Sequence, residues 1–163
     1  MSITIAKAKR EQFAAINKVM EEGQRLHANH LPHIFKDVSP VMPKVFFEEI
    51  LKDLDKDILV AMDGEAIVGF ALLRVNQAPP FESVQSRTYT YIDDFGVLES
   101  FQGNGVGRKL LEACKEWAKE KNSEHLELTV WDFNERARSF YEALGLTTVT
   151  RRMSLPLKDD HSK

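Results

Sequence analysis

A glycine-rich loop directly before a helical repeat of apolar residues constrains the fold of this chain most strongly. The loop reads QGNGVG, and three glycines alternate along it from Gly103 to Gly107. Glycines let the backbone turn tightly and let a ligand approach it closely, and a helix N-terminus offers unpaired N–H groups and a partial positive charge. The pattern therefore predicts a strand, an anion-binding loop and a helix in direct succession.

Strand and helix patterns alternate after the loop. A helix is predicted over residues 105–121, whose apolar face consists of Val106, Leu110, Cys114 and Trp117. Residues 125–131 have the composition of a strand, and NERARSFYEAL forms a further helix that Gly145 closes. TTVTRRMSL, residues 147–155, is predicted as the last strand.

The first half of the chain combines helices with neighbouring strands. A short strand at SITIA precedes predicted helices over residues 10–30 and 43–54. The apolar positions that recur at helical spacing in the second helix are Phe47, Ile50, Leu51 and Leu54. DILVAM and AIVGFALLRV are strands joined by a hairpin at Asp63-Gly64. QAPPFESVQS is then a loop, because paired prolines interrupt strand pairing.

RTYTYIDDFGVL is the third strand of this central part. No helix fits between the three strands, so they predict an antiparallel meander. The order β-α-α-β-β-β-α-β-α-β then predicts a mixed α/β sheet, in which the meander is followed by a βαβ crossover at the glycine loop.

The residues of the loop discriminate among phosphate-binding motifs. A P-loop requires Gly-Lys-Ser/Thr, but Gly107 is followed by Arg108-Lys109-Leu110. The dinucleotide fingerprint requires a further glycine at the position of Arg108, within a series of βαβ units. Gln102, Gly105 and Gly107 instead satisfy the pattern Q/R-x-x-G-x-G/A.

With this pattern the sequence resembles the GNAT family of acetyl-CoA-dependent N-acetyltransferases. VLESFQGNGVG is similar to the family's pyrophosphate loop, and NERARSFYEALGL is similar to its second signature of asparagine, tyrosine and a final Leu-Gly. The two motifs and their strands cover roughly residues 88–154. The resemblance implies a GNAT-type fold over a single domain, residues 1–156. Residues 157–163 are mostly polar and follow a proline, so they are expected to form a flexible tail.

The resemblance also implies a coenzyme site. The loop amides would hold the pyrophosphate of coenzyme A, and the pantetheine arm would lie between the parallel strands 88–98 and 125–131. The implied coenzyme-binding residues are Phe95, Gly96, Val97, Gln102, Gly103, Asn104, Gly105, Val106, Gly107, Arg108 and Asn134. Asn134 is equally suited to cap the helix that follows it, and the two roles are compatible.

Three side chains are candidates for acid and base catalysis. The resemblance assigns to Tyr141 the role of the acid that protonates the departing thiolate, although the residue also fits an ordinary core stripe. Asp93 or Glu127 is the candidate base that deprotonates the amine. Asp94 follows Asp93 on the same strand and points to the opposite face. The alternative for Asp93 is a carboxylate at a strand bulge, paired with a cation.

Other residues limit the range of functions. His27, His30 and His33 invite a metal site, but Pro32 breaks the helical geometry, so no metal is predicted and solvated or packing histidines are expected. The resemblance implies that the segment between the first two helices borders the acceptor pocket, where His30, His33 or Phe35 would contact the acceptor. A glutamate that serves as base in relatives acetylating protein N-termini is replaced here by Thr129.

Composition and charge exclude further classes. A net charge of −3 argues against a dedicated nucleic-acid binder. No apolar run reaches membrane-spanning length and no signal-peptide core is present, and one cysteine excludes an internal disulfide. The expectation is a cytoplasmic enzyme, with a homodimer left open.

The expected activity is direct acetyl transfer from acetyl-CoA to a primary amine of a small molecule or protein, in a ternary complex. Its alternative is a non-catalytic acyl-CoA-binding or regulatory domain on the same fold, because every glycine of the loop would serve either function.

Overall fold

A computed structural model describes residues 2–158, and these form two compact units that divide between Thr129 and Val130. Of the predicted tail, residues 159–163 lie outside the described part. The elements of the first unit are β1 (Ile3–Lys7), α1 (Phe13–His30), α2 (Lys44–Lys52), β2 (Lys56–Asp63), β3 (Ala66–Gln77), β4 (Thr88–Val97), α3 (Val106–Glu120) and β5 (His125–Leu128). Short 3-10 turns occupy Arg10–Gln12 and Glu99–Phe101. The second unit contains α4 (Glu135–Ala143).

The five strands form one sheet in the order β1-β2-β3-β4-β5. β1 to β4 pair antiparallel, whereas β4 and β5 pair parallel and are connected through α3. This topology confirms the predicted mixed sheet, with its antiparallel meander and its crossover at the glycine loop.

One bulge interrupts the pairing of β3 with β4. Leu72 pairs with Asp94 and Leu73 pairs with Ile92, so Asp93 has no residue opposite it in the ladder.

Helices cover both faces of the sheet. Ile58 and Val60 of β2 join a buried cluster with residues of α1 and α2, whereas Ala61 joins a cluster with Val106 of α3. Even and odd positions of a strand face opposite sides. α1 and α2 therefore pack on one face and α3 packs on the other. None of the helices within residues 2–158 is both long enough and apolar enough to cross a bilayer.

The predicted final strand, residues 147–155, is not formed, and this prediction is wrong for the chain as described. No residue of this stretch forms part of a strand, and the exposed fractions of Val149, Met153 and Leu155 are 81%, 91% and 78%. A strand exists only where a second strand accepts its hydrogen bonds, and β5 pairs with β4 alone among the described strands.

Three smaller predictions need correction. β5 ends at Leu128 and does not reach residue 131. α2 ends at Lys52, because Asp53 adopts an extended conformation and its carboxylate accepts a hydrogen bond from the N–H of Asp55. Leu54 therefore lies outside the helix, and it is 85% exposed rather than part of the apolar face. In the hairpin between β2 and β3 the two loop residues are 64 and 65, one position later than predicted. Asp63 still belongs to β2, since it pairs with Ala66 of β3.

Candidate functional site

The glycine loop links the end of β4 to the first turn of α3. Gly103 and Gly105 have φ angles of +81° and +83°, a region that favours glycine, and Gly105 is the N-cap of α3. A Cβ added at either glycine would meet no atom within 4 Å, so backbone conformation rather than crowding requires glycine here. No side chain caps α3. The first-turn N–H groups, which have no acceptor inside a helix, therefore face the loop side.

Hydrogen bonds hold the loop against the strand that precedes it. The side-chain amide of Gln102 donates to the carbonyl oxygen of Val97 at 2.9 Å, and the ammonium group of Lys109 donates to the carbonyl oxygen of Ile3. The N–H of Glu99 donates to the carboxylate of Glu22 at 2.9 Å. The loop is thus anchored to β4, β1 and α1 by side chains that leave its own glycines uncovered.

β4 and β5 separate before β4 ends. Their parallel pairing runs from Tyr89 and His125 to Ile92 and Leu128, whereas β4 continues to Val97 and pairs there with β3 alone. The backbone of residues 93–97 therefore leads from the point of separation directly to the loop. This arrangement brings together ten of the predicted coenzyme-binding residues, namely Phe95, Gly96, Val97, Gln102, Gly103, Asn104, Gly105, Val106, Gly107 and Arg108.

Asp93 is engaged by a cation at the bulge of β4. Nε of Arg74 lies 3.0 Å and 2.9 Å from the two carboxylate oxygens of Asp93. The guanidinium group also lies over the ring of Tyr91, 4.7 Å from its centroid. This is the cation-paired arrangement that the sequence offered as the alternative to a base.

Asp94 has a different environment. Burial of its carboxylate raises the pKa of Asp94 from 3.8 to about 6, while the N–H of Phe95, donating at 2.9 Å, and the charge of His27 lower it. The residue as a whole nevertheless keeps an exposed surface. His27 packs edge-on against Phe35, with ring centroids 5.3 Å apart. α1 thus contributes to the surroundings of this carboxylate through His27.

The second base candidate, Glu127, is also paired. Its carboxylate accepts a hydrogen bond from Arg87 at 2.8 Å, and the guanidinium group of Arg87 lies over the ring of Tyr89, 4.2 Å from its centroid.

The two arginines that pair with these carboxylates, Arg74 and Arg87, were not identified from the sequence. Their partners lie 19 and 40 residues away along the chain, and only the strand register brings them together.

Cys114 is buried in α3, as predicted. Burial raises the pKa of its thiol to about 12, so the nucleophilic thiolate is not formed near neutral pH.

The histidines of α1 bind to their own helix. The rings of His27 and His30 each hydrogen-bond through Nδ1 to a carbonyl oxygen four residues earlier, at 2.6 Å and 3.0 Å. Within residues 2–158, no group of three or more His, Cys, Asp or Glu side chains could hold a metal ion.

The second unit carries the remaining two predicted residues. The side-chain oxygen of Asn134 accepts the N–H of Ala137 at 3.1 Å, so Asn134 caps α4. Tyr141 lies in the last turn of α4, half-buried, and its ring packs edge-on against Phe140 at a centroid distance of 5.2 Å.

Comparison with known sequences identifies related proteins. The model of the acetyltransferase (GNAT) family matches residues 19–146. An uncharacterised N-acetyltransferase of Archaeoglobus fulgidus is 38% identical over 104 residues, which cover 63% of this chain and 68% of that protein. Matches to two further curated relatives cover 48% and 66% of the lengths of those proteins.

Comparison with solved structures identifies the fold. A mutant of the BH1408 protein from Bacillus halodurans has a TM-score of 0.91 at 28% identity, covering 95% of this chain and 99% of that one. An aminoglycoside N-acetyltransferase in complex with CoA has a TM-score of 0.69 at 18% identity, covering 97% and 96%. These neighbours confirm the predicted acetyltransferase fold.

Proposed function

The chain belongs to the acetyltransferase (GNAT) family, and on this premise we propose that it transfers the acetyl group of acetyl-CoA directly to a primary amine in a ternary complex. One observation carries the proposal: β4 separates from β5 after Ile92 and leads along residues 93–97 into the uncapped N-terminus of α3. An extended pantetheine arm can pair with such a strand edge, and a pyrophosphate suits a helix N-terminus.

In this site the loop amides of residues 102–108 bind the pyrophosphate, and Phe95, Gly96 and Val97 line the thioester. The CoA complex of the aminoglycoside N-acetyltransferase, which shares this fold, supports coenzyme A as the ligand class. Asn134 is proposed to contact the arm through atoms that its capping bond leaves available.

The reaction requires one base and one acid. The amine nitrogen attacks the thioester carbonyl, the C–S bond breaks, the nitrogen loses a proton and the thiolate gains one. We assign the base to Asp94, because the carboxylates of Asp93 and Glu127 are already occupied by arginines. Tyr141 is assigned as the acid on the spacing of its motif. The buried Cys114 plays no covalent part.

The first test is calorimetric titration with acetyl-CoA, with NAD and ATP as competing ligand classes. We expect selective binding that is lost in Gly105→Glu, since a side chain at a positive φ distorts the loop and a carboxylate repels the pyrophosphate. Gly64→Glu is the matched control: Gly64 also has a positive φ, +61°, and open surroundings, but lies in the β2–β3 hairpin. A folded protein without affinity for acetyl-CoA would refute the proposal.

A turnover assay distinguishes a transferase from a non-catalytic acyl-CoA-binding domain. Thiol release with a panel of primary amines is expected for a transferase. Selective acetyl-CoA binding without turnover on any amine class would instead support the non-catalytic acyl-CoA-binding domain.

A further inference from the structure

A glycine stands inside α1 where neither the backbone nor the packing requires one. Gly23 belongs to the helix and is not among the glycines with a positive φ angle. A Cβ added at this position would meet no heavy atom of the described chain within 4 Å, so crowding does not require glycine either. Glycine in a helix interior is less stable than alanine. The residue therefore destabilises α1 without improving its packing.

Gly23 lies on the face of α1 that packs against the sheet. Positions 16, 20, 23 and 27 follow one another at spacings of four, three and four residues, which places them on one side of a helix. Ile16 and Met20 are buried in the core, whereas Gly23 and His27 are only half-buried. The buried face of α1 therefore opens at Gly23 into a slot, here termed the Gly23 slot, which is the space that a side chain at this position would fill.

Two contacts with the end of β4 flank the Gly23 slot. One turn of α1 is held by Glu22, whose carboxylate accepts a hydrogen bond from the N–H of Glu99 at 2.9 Å. In the next turn the charge of His27 acts on the carboxyl group of Asp94. The His27 ring is fixed there, because its Nδ1–H donates to the carbonyl oxygen of Gly23 at 2.6 Å. The slot thus lies beside the part of the chain between these two contacts.

We propose that the acceptor binds in the Gly23 slot with its amine directed to Asp94, and that Gly23 determines which amines fit. This inference rests on the proposed acetyl transfer, in which Asp94 is the base and residues 95–97 line the thioester. A glycine lets a ligand approach the helix backbone closely. The slot is the space of one omitted side chain in a close-packed interior. The acceptor class that fits is therefore a primary amine at the end of an unbranched chain of methylene groups, whereas an amine on a branched or cyclic carbon is too wide.

Substitution of Gly23 separates substrate selection from folding. Gly23→Ala is expected to raise the melting temperature, since alanine favours the helix and its Cβ meets no described atom. The same variant is expected to lower kcat/KM for linear amines by about 10-fold, and Gly23→Leu, which fills the slot, by about 100-fold or more. The affinity for acetyl-CoA is expected to stay unchanged in both. Ala14→Leu places the same side chain at an exposed position of α1 and is expected to keep wild-type kinetics.

A panel of matched amines tests the predicted acceptor class on the wild-type chain. Thiol release is expected to be at least about 10-fold faster with linear primary amines than with cyclic amines of equal carbon number. Equal rates with the two amine shapes, an unchanged kcat/KM in Gly23→Leu, or a lower melting temperature in Gly23→Ala would each overturn the inference and leave the transferase standing. A wild-type chain that turns over none of the amines would refute the transferase, and the inference would fall with it.

Discussion

The adjacent carboxylates of β4 differ because a single bulge changes their neighbours. Asp93 is the inserted residue and meets Arg74 of β3. Asp94 resumes the ladder opposite Leu72, where burial opposes its ionisation and the charge of His27 favours it. Burial thus raises the pKa of Asp94 to about 6, and a base for the amine needs a pKa below but close to the working pH.

A pH profile distinguishes the two aspartates. Asp94 accepts a proton only when ionised, so kcat/KM is expected to rise with pH through about 6. Asp94→Asn is expected to remove this limb and to lower the rate by about 10²- to 10⁴-fold, whereas Asp93→Asn keeps the limb. Steady-state kinetics between pH 5 and 8 makes the measurement. A limb lost with Asp93→Asn or with Glu127→Gln would move the base to that residue.

The same ionisation affects stability. The folded-state pKa of Asp94 lies above its ordinary value of 3.8, so the native state holds the proton more tightly than the unfolded chain does. The contribution of this group to the free energy of unfolding therefore falls as pH rises from 3.8 to about 6 and is constant above that. Asp94→Asn is expected to remove this slope in urea unfolding.

Tyr141 is tested by removing one oxygen atom. Tyr141→Phe keeps the ring in α4 and removes the proton donor, so kcat is expected to fall by roughly 100-fold or more with little change in KM. Tyr89→Phe removes a hydroxyl whose partner is Asn76 and serves as the control with wild-type kcat. Equal rates for the two variants would exclude Tyr141 as the acid.

At the scale of secondary-structure elements, capping residues and helix-ending residues determine where each helix begins and ends. Gly105 starts α3 in a left-handed conformation and directs the helix N-terminus toward the end of β4. Asn134 starts α4 through its bond to Ala137, and Leu31 ends α1 before Pro32. These local signals also explain why the bounds of α1, α3 and α4 were predicted to within a few residues.

The cap of α4 has a measurable contribution. Asn134→Ala removes the acceptor of the Ala137 N–H and is expected to destabilise α4 by about 1 kcal/mol. Hydrogen exchange of the amides in Glu135–Ala143 measures this locally, as an approximately fivefold loss of protection. Asn134→Asp retains a capping oxygen and is expected to retain protection. Unchanged exchange in Asn134→Ala would show that the helix does not depend on this bond.

At the scale of the whole molecule, the buried core and the glycine loop belong to the same unit. Every buried apolar residue of the described chain lies between Ile3 and Ala118, and Val106 joins the first turn of α3 to that core. A ligand bound by the loop is therefore expected to raise the free energy of unfolding of the first unit, which contains this core.

Acetyl-CoA is accordingly expected to raise the melting temperature. At a ligand concentration about 100 times the dissociation constant, binding adds about 2.7 kcal/mol, which corresponds to a shift of roughly 5–10 °C for a chain of this size. Thermal unfolding followed by circular dichroism measures the shift. Gly105→Glu is expected to abolish it and Gly64→Glu to preserve it; a shift that survives in Gly105→Glu would place the ligand elsewhere.

The amino-acid sequence by itself determined the features whose causes are local. The glycine loop, the amphipathic face of α3, the cap at Asn134 and the meander all depend on residues close together along the chain, and each was predicted. The order of these elements also predicted a mixed sheet with an antiparallel meander and one parallel crossover, which the structure confirms for β1 to β5.

Tertiary structure alone decided which distant residues meet. The bulge that separates Asp93 from Asp94, the pairing of Arg87 with Glu127, and the end of β5 at Leu128 depend on the register between strands. The failure of residues 147–155 to form a strand has the same origin. The alternation of apolar and polar residues in a segment shows only which side chains would share a face. The hydrogen bonds of a strand come from a second strand, and the segment's own residues do not specify that partner.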